Sequence, residues 1–140
     1  MAAKGDRGRC DQIASALTRR VEQCEYCGTH VPFGELHTSH YVSRTISWTR
    51  THLPNLVSAC PSCHFKVGSR PDIHYRWFVY LRGEEVEREI HQRTLWTDKF
   101  KWAEERERLE QLAVAALSEP LSPQAEVGVR RVIRKRSLNR

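Results

Sequence analysis

The chain carries two Cys-x2-Cys pairs, Cys24-Glu-Tyr-Cys27-Gly28 and Cys60-Pro-Ser-Cys63, with 32 residues between them. A two-residue gap lets both thiolates of a pair reach one ion at about 2.3 Å while the amides of the loop point at the sulfurs. Gly28 suits the backbone conformation needed just after the second thiolate, and Pro61 suits the first turn of a helix. Four thiolates from two such pairs, Cys24, Cys27, Cys60 and Cys63, are the donor set of a structural Zn2+ site. Zinc contributes roughly 10 to 16 kcal/mol of apparent folding free energy to small domains of this kind. Residues 24–70 have too little apolar mass to fold by burial alone, so the ion would replace a core. The fifth cysteine, Cys10, reads as a small unreactive thiol near a helix start.

Between the pairs lie polar residues that this zinc does not need. The stretch His37-Thr-Ser-His40-Tyr-Val-Ser-Arg44 puts two histidines three apart, Asn55 lies in Leu-Pro-Asn-Leu-Val-Ser-Ala-Cys60, and His64 directly follows Cys63. A rival ligand set is Cys24, Cys27, His37 and His40. It leaves nine residues between the pairs and two between the histidines, against about twelve and about three to five in finger modules. It also strands the second cysteine pair. The four-cysteine set leaves the histidines for other chemistry. His30 reads as a loop residue, and His52, His74 and His91 as solvated side chains.

The elements that must position these groups are short. Residues 11–23 read as an amphipathic helix with Ile13, Ala16, Leu17 and Val21 on one face and Asp11 capping the start. After Pro71, Asp72 can cap a helix that stops at Gly83, although Trp77–Leu81 would also suit a strand. Residues 84–117 are strongly helical, with Val86, Ile90, Trp96, Phe100 and Ala103 on one face and Leu109, Leu112, Ala113 and Ala116 resuming it; Thr97-Asp98 is a point of interruption. The expected organisation is a cysteine-bearing domain over residues 1–82 with its N-terminal helix, an acidic helical extension over 83–119, and a basic, flexible tail over 120–140.

The net charge of +6 is unevenly spread. Residues 1–70 hold nine Lys and Arg against five acids, residues 83–119 six against ten, and the last eleven residues six against none. A polyanion is drawn to the two ends of the sequence and repelled from its middle, which makes nucleic acid the expected partner. No run of eighteen apolar residues occurs and the N-terminus has no apolar core, so the expectation is a cytoplasmic protein with reduced thiols and no membrane association.

The order His40, Asn55, His64, with the last in a Cys-x2-Cys-His run, resembles the HNH nuclease motif, whose fold is ββα-metal. The stretches RRVEQCEYCG, SHYVSR and NLVSACPSCHFK are similar to phage recombination nucleases of the NinG/Rap type, and the knuckle spacing is similar to phage endonuclease VII. The resemblance covers residues 19–70. It implies an α+β fold, a zinc-stabilised HNH core with flanking helices and a helical C-terminal extension, and a phage or bacterial DNA endonuclease acting inside a host cell. It also implies a branched substrate, such as a Holliday junction or D-loop, which a homodimer would cut symmetrically; the apolar face of residues 84–117 is the surface offered for that contact.

Phosphodiester hydrolysis needs a base for the attacking water and a cation for the phosphoryl oxygens. His40 is the candidate base, because imidazole titrates near working pH. His64 is the candidate ligand of a catalytic divalent ion, and the resemblance gives Asn55 the task of orienting the base or its loop. Many HNH proteins carry Asp immediately before the base histidine, where this chain has Ser39, and the NinG and endonuclease VII patterns tend to carry Asn where it has His64. A hydroxyl is a poor ligand for Mg2+. His37 is the expected substitute, with Ser39 beside it, giving a nitrogen-rich site that favours Mn2+, Ni2+ or Zn2+ over Mg2+. Arg44, Arg50, Lys66 and Arg70 are candidate DNA contacts. Two rival functions remain: a zinc-knuckle DNA-binding protein that has lost cleavage, and an HNH nicking endonuclease acting on plain duplex.

Overall fold

The computed structural model describes residues 5–139; Met1 to Lys4 and Arg140, the two ends of the expected organisation, lie outside the described residues. Helix α1, Asp6–Arg19, starts five residues before the expected Asp11 cap. Asp6 stands in the first turn, where a carboxylate favours the positive helix end, and Gly5 takes the cap position. Asp11 is thereby freed from capping and sits mid-helix. Val21 falls beyond the helix and is exposed.

The polar segment then folds as a hairpin followed by a helix. Strands β1, His37–His40, and β2, Leu56–Ala59, pair antiparallel with His37 opposite Ala59 and His40 opposite Leu56. Between them lies the single-turn helix α2, Ser47–Arg50. Cys60 ends β2 and caps α3, Pro61–Ser69, with Pro61 in its first turn as its fixed φ favours. Helix α4, Pro71–Arg82, settles the strand alternative for Trp77–Leu81 in favour of helix: Phe78 is fully buried against Val57 and Ile90, and Gly83 ends the helix at φ +89. Asp72 does not cap it; its carboxylate bonds the Arg70 guanidinium.

The acidic extension is two helices, α5, Glu84–Arg93, and α6, Trp102–Ala116, broken around Thr97-Asp98. Its apolar residues do not form one stripe. Val86 and Ile90 turn to Phe78, whereas Trp96 and Phe100 pack edge-on against Trp48, whose indole N–H bonds the Asp98 carbonyl at 2.9 Å.

The basic tail expected to be flexible is folded instead. Helices α7, Pro123–Arg131, and α8, Lys135–Leu138, follow a cap in which Ser122 Oγ accepts from the Ala125 N–H at 3.1 Å. Ala125, Val129 and Ile133 are buried in the main core, a periodicity hidden in the sequence by the surrounding arginines. Arg134 donates to Glu110, whose carboxylate is 1% exposed, at 2.6 and 2.9 Å. Burial alone would push the Glu110 carboxyl up, but the Arg134 hydrogen bonds outweigh it and hold it below the usual range. The tail's charge thus pairs with the acidic helix, leaving less of it for a polyanion.

The main core packs α1 on α6 and α7 through Ile13, Leu17, Leu109, Ala113 and Val129. Cys10 is buried there, its thiol donating to the Trp102 carbonyl at 3.5 Å and pushed up to about 12 chiefly by burial, which makes it unreactive. No helix among the described residues is long and apolar enough to cross a membrane.

Candidate active site

The four cysteines of the two pairs converge. The sulfurs of Cys24, Cys27, Cys60 and Cys63 all lie within 4.8 Å of one another. A tetrahedral ion with bonds of about 2.3 Å holds sulfurs about 3.8 Å apart, so the cluster fits zinc with a small contraction. The pairs have the expected knuckle geometry, with the Cys27 N–H facing Cys24 Sγ at 3.5 Å, the Cys63 N–H facing Cys60 Sγ at 3.4 Å, and Gly28 at φ +79. Glu25 ties the first knuckle to β2: its carboxylate accepts from the Ser58 N–H at 2.8 Å and from Arg82 at 2.8 Å, while Arg82 also donates to the Leu56 carbonyl. His30 forms an isolated backbone bridge with Gln23 across the knuckle and is not among the four clustered ligands.

Three of the histidines, His37, His40 and His64, are divided between two adjoining depressions. His37 and His64 bring their Nδ1 atoms to 3.0 Å with the rings edge-on. That is a hydrogen-bond separation, and it is also the spacing of two neighbouring ligands at about 2.1 Å from one octahedral ion. The pair lines an open groove of about 520 Å³ with Pro61, Phe65, Gly68 and Ser69. Ser39, also placed at this ion by the sequence, is 1% exposed and lies inside the protein toward Tyr26. Its hydroxyl is not presented to the groove: the pleat points Ser39 to the same face as His37, but that face is exposed at His37 and covered at Ser39.

His37 also lines a second cleft of about 310 Å³, with Asp11, Ser15, His40, Arg44 and Arg50. There His40 Nε2 faces the Arg50 carbonyl at 3.2 Å. A carbonyl only accepts, so Nε2 carries the proton and Nδ1 keeps its lone pair. Burial, and then the nearby Arg44 charge, lower the His40 pKa, so the ring is neutral at pH 7. Asn55 is fully buried below: its Oδ1 accepts from the Val42 N–H at 2.8 Å, and its Nδ2 donates to the Val42 and Thr49 carbonyls at 3.1 and 3.0 Å. One side chain therefore pins both ends of the loop that carries Arg44.

The predicted basic contacts are placed unequally. Arg50 is engaged, donating to both oxygens of Asp11 at 2.8 and 2.7 Å and to the Arg44 carbonyl at 3.0 Å. Arg44 is exposed, 3.6 Å from Asp11. Lys66 lies over the Trp77 ring at 5.7 Å, and Arg70 bonds Asp72; both are exposed on the α3 and α4 side, away from the Asp11 cleft. Sequence reasoning missed Asp11, assigning it to a helix cap. A helix running from Asp6 through Gly8, which the sequence disfavours but does not forbid, would have shown it facing the basic segment.

His52, His74 and His91, read as solvated, have partners. His52 meets Glu89 at 2.9 Å, His91 meets Glu87 at 2.6 Å, and His74 packs edge-on against Tyr41 with its Nε2 buried. His74 ties α4 to Tyr41 just beyond β1 and His52 ties the loop before β2 to α5, whereas the His91–Glu87 pair lies within α5.

No curated protein and no solved structure matches the chain significantly. The HNH endonuclease family model matches residues 24–70, so the α+β unit that holds both cysteine pairs, His40, Asn55 and His64 is an HNH-type domain.

Proposed function

We propose that the protein is a metal-dependent DNA endonuclease in which His40 is the general base and His37 and His64 hold the catalytic divalent ion. The observation that carries this reading is the pair of depressions meeting at His37: a neutral imidazole with a free Nδ1 on one side, two imidazole nitrogens 3.0 Å apart on the other. His40 Nδ1 takes the proton of the attacking water, and the Arg50 carbonyl fixes the tautomer that leaves it able to do so. Asn55 holds the 42–49 loop and through it Arg50 and Arg44, of which Arg44 has the exposure to meet a phosphate. Zinc held by Cys24, Cys27, Cys60 and Cys63 would fix the end of β2 to α3, the helix from which His64 stands opposite His37. The ion at the histidine pair would supply charge neutralisation on the phosphoryl oxygens. Two nitrogens with no carboxylate favour Mn2+, Ni2+ or Zn2+ over Mg2+. Ser39 has no part in this site.

By its resemblance to NinG-type and endonuclease VII nucleases the substrate is branched DNA in the cytoplasm of a host cell. Symmetric cleavage needs two copies, and the α6 face offered for a dimer contact is spent on α1, so the copies would meet elsewhere.

A second reading, a DNA-binding module without cleavage, draws support from the missing carboxylate: Asp11, the acid nearest His40, is engaged by Arg50. Incubation of plasmid with purified protein in Mn2+, Ni2+, Mg2+ or no added metal separates the two. A chelator is avoided, because it would strip the thiolate zinc. Nicking that needs metal and disappears in His40→Ala supports the enzyme, whereas salt-sensitive binding without nicking in any metal supports the module. Undiminished activity of His37→Ala across the metals would refute the role of His37. Cleavage of a four-way junction against a linear duplex of the same sequence decides between branched substrate and plain duplex.

A further inference from the structure

Phe65 directly follows His64 on α3, and its side chain is 79% exposed. It is one wall of the groove that His37 and His64 line, with Pro61, Gly68 and Ser69 completing the same side. A Cβ at Gly68, one turn along the helix, would meet nothing within 4 Å, so the space in front of the ring is open. A large apolar ring left in water beside two imidazoles contributes nothing to the fold that a polar residue would not, and it forgoes roughly 1.5 to 3 kcal/mol of burial.

What would cover the ring is indicated by its surroundings. The helices that carry it and follow it, α3 and α4, present Lys66, Arg70 and Arg76, all exposed, against the single acid Asp72, which both arginines meet. An aromatic face among cations is the arrangement that binds single-stranded nucleic acid: the cations track the phosphates and the ring stacks on a base. In an intact duplex each base face is already covered by its neighbours, so such a ring finds a partner only where pairing is broken.

We propose that Phe65 is a stacking platform for an unpaired base of the DNA strand held at the His37–His64 pair, and that it makes the protein select single-stranded or distorted DNA over intact duplex. The inference rests on the nuclease reading and sharpens it: the feature recognised at the cut site is a base with a free face, whatever the larger geometry of the branch.

The test is binding of a short single-stranded oligonucleotide containing 2-aminopurine, and of the duplex made from it, in buffer without added divalent metal so that zinc stays in place and no strand is cut. Wild-type protein should bind the single strand more tightly and quench its fluorescence. Phe65→Ala and Phe65→Leu should each weaken single-strand binding about tenfold and abolish the quench, with duplex affinity unmoved, because stacking is worth about 1 to 3 kcal/mol per base. Phe65→Tyr should behave as wild type. Phe65→Leu binding and quenching like wild type, or equal losses on strand and duplex, would overturn the platform and leave the nuclease reading intact. Wild-type protein that binds neither form would overturn that reading and the platform with it.

Discussion

The zinc-fitted unit and the helical shell around it differ in what fills their interiors. Among the described residues the cluster at the thiolates buries only Cys24, Ala59 and Cys63, with Tyr26, Cys60 and Trp77 at its margin. The cluster of α1, α6 and α7 buries thirteen residues, from Cys10 to Ile133. One region has four thiolates placed for directional bonds to an ion, and polar ties such as Glu25 to Arg82; the other is organised by apolar area. The candidate chemistry sits in the first. Directional bonds can hold His64 opposite His37 on an open surface, where an apolar core would have had to cover them. The shell contributes a wall, through Asp11, from a helix whose own position is set by burial.

The largest test of this contrast is removal of the ion. Cys63→Ser should cost on the order of 10 kcal/mol of apparent folding free energy in the zinc unit. Amide exchange protection should vanish across residues 24–70 and persist in α1 and α6; loss of both together would mean that the two regions form one cooperative unit. Next comes Arg134→Ala, which leaves the Glu110 carboxylate buried without its main partner. Loss of about 3 kcal/mol in urea unfolding is expected, largely restored when Glu110→Gln is added. Gly128→Ala probes the apolar region where it receives the Phe33 ring, which a Cβ there would overlap. A loss of about 1 to 3 kcal/mol is expected despite the better helix propensity of alanine, with exchange protection falling around Gly128 and Phe33 and unchanged at the four cysteines.

The smallest effect is that of pH, and it too divides the regions. Burial lowers the pKa of His40, His52, His64 and His74 in the folded protein. Below about pH 6.5 the unfolded chain takes up protons that the folded one refuses, so stability present above that value is lost as pH falls through the folded values. The shell's Glu110, also held low, acts in the same direction but only below its ordinary value of 4.5. Exchange protection should therefore decline first around β1 and α3 between pH 6.5 and 5, and later in α6. Nicking by a neutral His40 should likewise persist below the ordinary histidine range.

The zinc unit was legible because its ligands announce themselves: two Cys-x2-Cys pairs, Gly28 and Pro61 each have one physical explanation, and the ligand set needs no knowledge of long-range packing. The helix after Pro71 and the break at Thr97-Asp98 were legible for similar local reasons. What was hidden depended on tertiary partners. Asp11 reads as a cap until α1 is seen to begin at Asp6, and its salt bridge to Arg50 spans elements that nothing local connects. Arg50 itself reads as a phosphate contact for the same reason. The tail reads as mobile because six cations dominate its composition, while Ala125, Val129 and Ile133 find their places only against α1 and α6. Ser39 was misplaced by the assumption that residues two apart on a strand share an environment; the edge of the sheet exposes one and covers the other.

The docking of α1 has a consequence for the order of events during synthesis. Helix α1 is synthesised well before α6, on which it closes, with Cys10 meeting Trp102 across 92 positions of chain. A nascent chain that has already gathered its four thiolates still lacks the side of the cleft that Asp11 provides. The imidazole at position 40 gains its finished surroundings only once α6 has been made and α1 has docked on it, so the proposed cutting would have to wait for that step.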